Sequence, residues 1–333
     1  MICGISLLKN YSIKCRILGN PTPKFFYRFP IYVRGAFGYT LKKVSCKIQH
    51  KTICQKCKLK FSCPFTLIFK PTREIFRGKT LMQKVKHVPR PYVFTKAEKV
   101  NEDMIEFNLR IYGNIIYLEG LILESLKGLE ERSFLDGKVK LEIENIKIVN
   151  ELKDLNTLLY VKEKSFLKKP LTEGIVLDDD IKNWVKNQTK TFTQKTQIKL
   201  EFQTPTKILR GKENLIKTKK VKLSDFIRYL ARRRSMLNYF YAGKMFYEAT
   251  AVKELMNWAD KNTETIIQNI EKTPISIKRS KGFCMGRILF KFNCLDEDKL
   301  VQILDLLKFG EYMGVGEMTA FGMGQYKLQI LNP

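Results

Sequence analysis

The chain has 333 residues, 44% of them apolar, and 61 Lys plus Arg against 33 Asp plus Glu, for a net charge of +28. That length holds two ordinary domains, and the apolar fraction argues against a disordered chain. No run of about 18 apolar residues is present, so no membrane span is expected, and the basic residues are spread along the chain rather than gathered in one helix or tail, so the field points to nucleic acid rather than to a lipid surface.

Residues 3 to 18 predict a strand, not a signal peptide, because no basic segment precedes the apolar residues at the start. Eight cysteines without a secretory signal imply a reducing compartment and a cytoplasmic protein. A basic, aromatic loop, Lys24 to Pro30, leads to a helix over 31–47, with Phe37, Leu41 and Val44 on its apolar stripe and Arg34, Lys42 and Lys43 on its basic side.

Cys46, Cys54, Cys57 and Cys63 follow. One C-x-x-C with two flanking cysteines suits a tetrahedral structural zinc, and His50 could replace one sulfur. The irregular spacing leaves free thiols as the alternative, and no His/Glu cluster supports a catalytic metal. His50 sits in Gln49-His50-Lys51 with Lys56 close behind. A His beside lysines suits RNA cleavage without a metal: one group moves the 2′-hydroxyl proton and a cation stabilises the charged phosphate. The other histidine, His87, reads as a loop residue.

Strands are expected over 104–112 and 137–149 around an apolar helix at 114–128. The element order is that of a ferredoxin-like βαββαβ unit, shared with RNA-recognition motifs, though no RNP-type aromatic strand is present. Residues 151–194 read as an irregular connector. A second set follows: a strand at 197–203, helices at 223–241 and 247–258, strands at 273–280 and 283–292, a helix at 297–308 and a last strand after 324. The fold class expected is therefore α+β, with two tandem ferredoxin-like domains at 1–150 and 195–333 and a cysteine-rich insertion, 46–63, in the first.

Two basic features mark the second half. Arg228, Arg232, Arg233 and Arg234 lie on one helix, and Lys278, Arg279 and Lys281 at a hairpin tip. Either could be a solvated surface or a phosphate clamp. Between the last helix and last strand lies a glycine-rich loop, 310–324, with Gly310, Gly314, Gly316, Gly322 and Gly324. Its order, helix then glycines then strand, excludes a dinucleotide fingerprint, and no Gly-Lys-Ser/Thr is present. A tight turn or main-chain N–H contact with phosphate remain the readings.

Gly314-Val-Gly316-Glu-Met-Thr-Ala-Phe-Gly322-Met-Gly324, just before the last strand, resembles the signature loop of the RAMP superfamily of CRISPR proteins. Within it, the chain resembles the repeat-processing endoribonucleases, with Arg34-Gly35-Ala36-Phe37-Gly38 and Pro89-Arg90-Pro91 as secondary likenesses. The resemblance implies binding and metal-independent cleavage of CRISPR precursor RNA within its repeats, leaving a 2′,3′-cyclic phosphate and a 5′-hydroxyl, with no catalytic cofactor. It implies a catalytic His near the end of the first helix, which His50 matches, assisted by a lysine (Lys51 or Lys56) and a tyrosine (Tyr39 or Tyr32). RNA contacts are expected from Arg34, Arg232, Arg233, Lys278, Arg279, Lys281 and glycines 314, 316, 322 and 324; the resemblance favours the hairpin at 278–281 and says less about the arginine helix. Other Cas proteins are further expected partners. Pairing with a second copy stays open, as does the alternative of a non-catalytic RAMP subunit that only binds RNA.

Overall fold

The structure is a computed structural model that describes residues 7–48, 53–76, 87–167, 169, 171–243, 247–275 and 281–332. It is a mixed α+β protein with antiparallel sheets. The chain divides into two compact units, Met1–Val176 with Met236–Lys244, and Leu177–Ser235 with Met245–Pro333. No described helix is long and apolar enough to cross a membrane.

In the first unit, β1 (Leu7–Gly19) is the central strand. It is followed by α1 (Pro23–Ser45), a short α2 (Pro64–Ile68), β2 (Tyr92–Phe94), β3 (Met104–Tyr112), α3 (Glu119–Lys127), β4 (Val139–Asn150) and β5 (Leu155–Val161). The sheet order is β2-β3-β1-β4-β5, all antiparallel. Because β1 is paired on both edges and covered on both faces, even Lys9, Asn10 and Ser12 are buried. Lys9 has partners for its charge: its Nζ lies 2.6 Å from Glu119 and donates to the Leu171 carbonyl at 2.9 Å.

The helix expected over 31–47 instead begins at Pro23, so the expected loop Lys24 to Pro30 is its first two turns. The stripe Phe25, Phe29, Val33, Phe37 and Leu41 repeats every four residues and is buried throughout. Each such side chain contributes about 1.5–3 kcal/mol of burial, which outweighs the one intrahelical bond that Pro30 removes. Residues 151–194 are also more ordered than the expected connector: β5 extends the sheet, and α4 (Asp178–Thr189) opens the second unit with three acids in its first turn, where the helix dipole favours negative charge.

The second unit continues with β6 (Gln197–Phe202), α5 (Leu223–Tyr241), α6 (Ala249–Asn262), β7 (Thr263–Lys272), β8 (Cys284–Phe292), α7 (Glu297–Met313) and β9 (Tyr326–Leu331). Its sheet order is β7-β8-β6-β9, again antiparallel. Of the strand expected over 273–280, residues 273–275 are not in a strand and 276–280 lie outside the described residues; β7 occupies the ten residues before it. The helix α6 runs directly into β7, with neither glycine nor proline between Asn262 and Thr263 to mark the change. Buried Arg234 ties three helices together. Its guanidinium lies 2.8 Å from Asp178 and 2.6 Å from Asp305, and Tyr247 donates to the same Asp305 oxygen at 2.9 Å.

Candidate nucleic-acid interface

The glycine loop begins where α7 ends, at Gly314 rather than Gly310. Gly310 lies inside the helix, where an added Cβ would sit 2.2 Å from the Tyr326 hydroxyl. That hydroxyl donates to the Leu307 carbonyl at 2.6 Å, so Gly310 lets β9 pack close to α7.

Beyond Gly314 the loop folds onto itself and onto the segment after β6. Val315 donates its main-chain N–H to Gly324 at 2.8 Å, Gly324 to Pro205 at 3.1 Å and Glu317 to Lys207 at 2.9 Å. Gln325 donates through its main chain to Thr204 Oγ1 at 2.9 Å and through its side chain to the Gly322 carbonyl at 2.7 Å. Gly316 and Gly324 have φ of 82° and 75°, left-handed backbone that strains any residue with a Cβ. A Cβ at Gly324 would also stand 1.8 Å from the Val315 oxygen, and one at Gly316 2.3 Å from the Lys207 oxygen. Gly314, Gly322 and Gly324 are buried, and Gly316 is half-exposed. The first three therefore shape the loop and present no surface to RNA, and the N–H groups of Val315, Glu317 and Gly324, expected to face phosphate, bond within the protein.

The arginine helix sorts by burial. Arg234 is spent on Asp178 and Asp305. Arg228 donates to the Leu209 carbonyl at 3.0 Å and contacts Asp225. Arg232 is exposed. Arg233 donates through Nε to the carbonyl of Met313, at the mouth of the glycine loop, at 3.1 Å, while its buried Nη2 has no hydrogen-bond partner among the described residues. Burial pushes its pKa down to about 10, so it stays charged at neutral pH. Lys281 is exposed just before β8, and β7 and β8 form the expected hairpin. Lys278 and Arg279 lie outside the described residues.

Composition alone did not single out a second basic surface. Lys219, Lys220 and Lys222 line an open recess beside the edge strand β7, together with Asp260; Lys220 pairs with Glu213 at 3.1 Å and Lys222 lies 3.9 Å from Asp260. The signal was present as Lys217-Thr-Lys-Lys-Val-Lys222, a run legible in the sequence but without a structural context there.

In the first unit, His50 and Lys51 lie outside the described residues. Of their proposed helpers, Tyr39 is exposed on α1, its ring stacked under Arg132 with 4.2 Å between guanidinium and centroid. One turn on, Lys43 bonds Glu131 at 2.5 Å. Arg132 was not anticipated, since nothing in its own neighbourhood of the sequence points toward α1. Tyr32 instead stacks on Phe25, and Lys56 is exposed in a short 3₁₀ turn, Cys54–Lys56. His87 is exposed in a bend. Arg34, expected at the RNA, is buried with its guanidinium 4.5 Å from the Phe69 ring. Burial lowers its pKa. Arg34 sits one turn before Gly38, where an added Cβ would stand 2.1 Å from the same ring, so the Arg-Gly-Ala-Phe-Gly stretch packs Phe69 onto α1.

The four cysteines of the insertion are free and half-buried, and all four line one cavity. Among the described residues no three His, Cys, Asp or Glu side chains stand in an arrangement that would hold a metal ion.

A two-unit α+β protein with a buried glycine loop before its last strand and basic side chains around it is the class that the comparisons recover. Residues 200–326 match the family model of the CRISPR-associated endoribonuclease Cas6, and residues 31–171 match a model described as an N-terminal domain. The Cas6 match is thus to residues 200–326, most of which belong to the second unit. Among solved structures, Thermus thermophilus Cas6 (TTHB231) is similar at a TM-score of 0.55 and 13% identity, covering 98% of this chain and 100% of that one. A Cas6 (TTHB231) product complex matches at 0.55 and 12%, over 97% and 100%. A partial Cas6-RT-Cas1–Cas2 complex matches at 0.56 and 11%, over 99% of this chain and 47% of that one. At these identities the structural matches establish the fold. No curated protein sequence matches the chain.

Proposed function

We propose that this chain is a metal-independent endoribonuclease that binds CRISPR precursor RNA and cuts it within the repeats. The observation that carries the proposal is the Cas6 match over 200–326, which includes the glycine loop. Full-length similarity to a Cas6 solved as a product complex supports it. Each unit is read as a ferredoxin-like domain. In chain order the strands of each βαββαβ set stand second, third, first, fourth across the sheet, with β5 added in the first unit and α6 in the second.

In this reading the 2′-hydroxyl of the nucleotide before the cut attacks the adjacent phosphorus. The P–O5′ bond breaks, leaving a 2′,3′-cyclic phosphate on one product and a 5′-hydroxyl on the other. His50 moves a proton on or off these oxygens, Lys51 or Lys56 stabilises the pentavalent phosphorane, and Tyr39 orients the reacting group. Arg232, Lys281, Lys278 and Arg279 neutralise backbone phosphates, with Lys219, Lys220 and Lys222 added by the structure. The charged, incompletely bonded Arg233 gives the mouth of the glycine loop a group that an anion would satisfy. Repeat RNA is the proposed partner. Other Cas proteins are proposed from the similarity to a chain solved with Cas1 and Cas2.

The test is cleavage of an end-labelled repeat RNA with EDTA added at the start, comparing wild type with His50→Ala. Circular dichroism checks that the chelator leaves the fold intact. We expect cutting by the wild type, a loss of at least about a hundredfold in the variant and retained RNA binding. Binding without cutting by either protein would instead support the non-catalytic RAMP subunit.

A further inference from the structure

We propose that Cys46, Cys54, Cys57 and Cys63 form a structural zinc site that holds the segment following α1.

The four cysteines arrive from three local positions. Cys46 caps the C-terminus of α1, donating its N–H to the Lys42 carbonyl at 3.0 Å. Cys63 precedes Pro64 at the N-terminus of α2. Cys54 and Cys57 bracket a 3₁₀ turn, with the Cys57 N–H bonded to the Cys54 carbonyl at 3.3 Å. Side chains three apart in a 3₁₀ turn eclipse, so this C-x-x-C presents both sulfurs to one side. All four line one small cavity, together with Lys42, Ile48, Lys60, Phe65 and Thr66. Among the described residues no carboxylate lines it.

Among its described residues, the segment closes short local turns and buries few apolar side chains. The 3₁₀ turn Lys58–Phe61 buries none of its residues, and Ile53, Leu59 and Phe61 are exposed. Folding such a stretch without an apolar core calls for a cross-link or a metal, and the thiols are free rather than paired. The sulfurs share a cavity without closing to coordination distance. Closure is coupled to metal binding, because the ion supplies the attraction that draws thiolates together. Zinc would displace the thiol protons into solution and leave a dianionic tetrathiolate, which Lys42 in the cavity wall would offset, Lys60 being already paired with Glu74 at 2.7 Å.

The test is elemental analysis of full-length protein purified under reducing conditions without added metal. Cobalt(II) substitution would then report thiolate ligation through its charge-transfer absorption. We expect about one zinc per chain. It should be lost in Cys54→Ser/Cys57→Ser and retained in Cys294→Ser, whose cysteine is exposed elsewhere. Because the double variant could misfold, alkylation of the wild type provides a second readout. The four thiols should be protected until a chelator is added. Metal-free protein whose four thiols alkylate freely, or which carries disulfides among them, would overturn the proposal.

Discussion

The glycine loop and the cysteine segment are both irregular stretches that begin where a helix ends, yet different forces hold them. The loop after α7 is closed by main-chain bonds, Val315 to Gly324 and Gly324 to Pro205, and glycines allow strands of backbone to approach that closely. The segment after α1 has short 3₁₀ turns, exposed apolar side chains and four sulfurs around a cavity. A loop that satisfies its own backbone can be rigid without ligands. One that neither pairs its backbone extensively nor buries side chains depends on what its side chains bind.

Three experiments test that contrast. The largest effect is expected for Gly324→Ala, which combines a left-handed φ with a backbone clash at 1.8 Å. Urea unfolding should show a loss of about 3 kcal/mol. Gly211→Ala, also at positive φ but with open space around it, should lose only about 1 kcal/mol. Equal losses would mean that φ alone, and not close approach, explains the loop.

A chelator should act locally. Hydrogen exchange over 53–66 should accelerate at least about tenfold while amides of β1 and β3 keep their protection. Acceleration across the whole first unit would make the metal part of its core stability. The smallest effect is expected for Arg232→Ala and Lys281→Ala, both exposed. Each should weaken RNA binding a few-fold and reduce the slope of log affinity against log salt by about 1. An unchanged slope would remove that residue from the phosphate contacts.

Periodicity made much of the fold legible. The strand at Met104–Tyr112 and the helix at Leu223–Tyr241 follow directly from the spacing of their apolar residues, because burial of one face or stripe imposes that spacing. The C-terminal glycine pattern was equally legible, since left-handed backbone favours glycine, and at Gly316 and Gly324 neighbouring backbone within 3 Å leaves no room for a Cβ. Where local signals conflicted, the sequence misled. Pro30 suggested a loop although the aromatic stripe beneath it continued the helix, and β7 starts without any punctuation after α6. Function of individual basic residues was not legible at all. Arg34 and Arg234 look in the sequence like Arg232, but one lies over Phe69 and another between two aspartates, while the third faces solvent. The sequence alone determined the charge, most element types and the likeness of residues 200–326 to the Cas6 model, because these depend on composition and on neighbours along the chain. Which arginines remain available for RNA, that the glycines are buried, and that four separated cysteines meet at one cavity were decided only by tertiary packing, which brings together residues that no local pattern links.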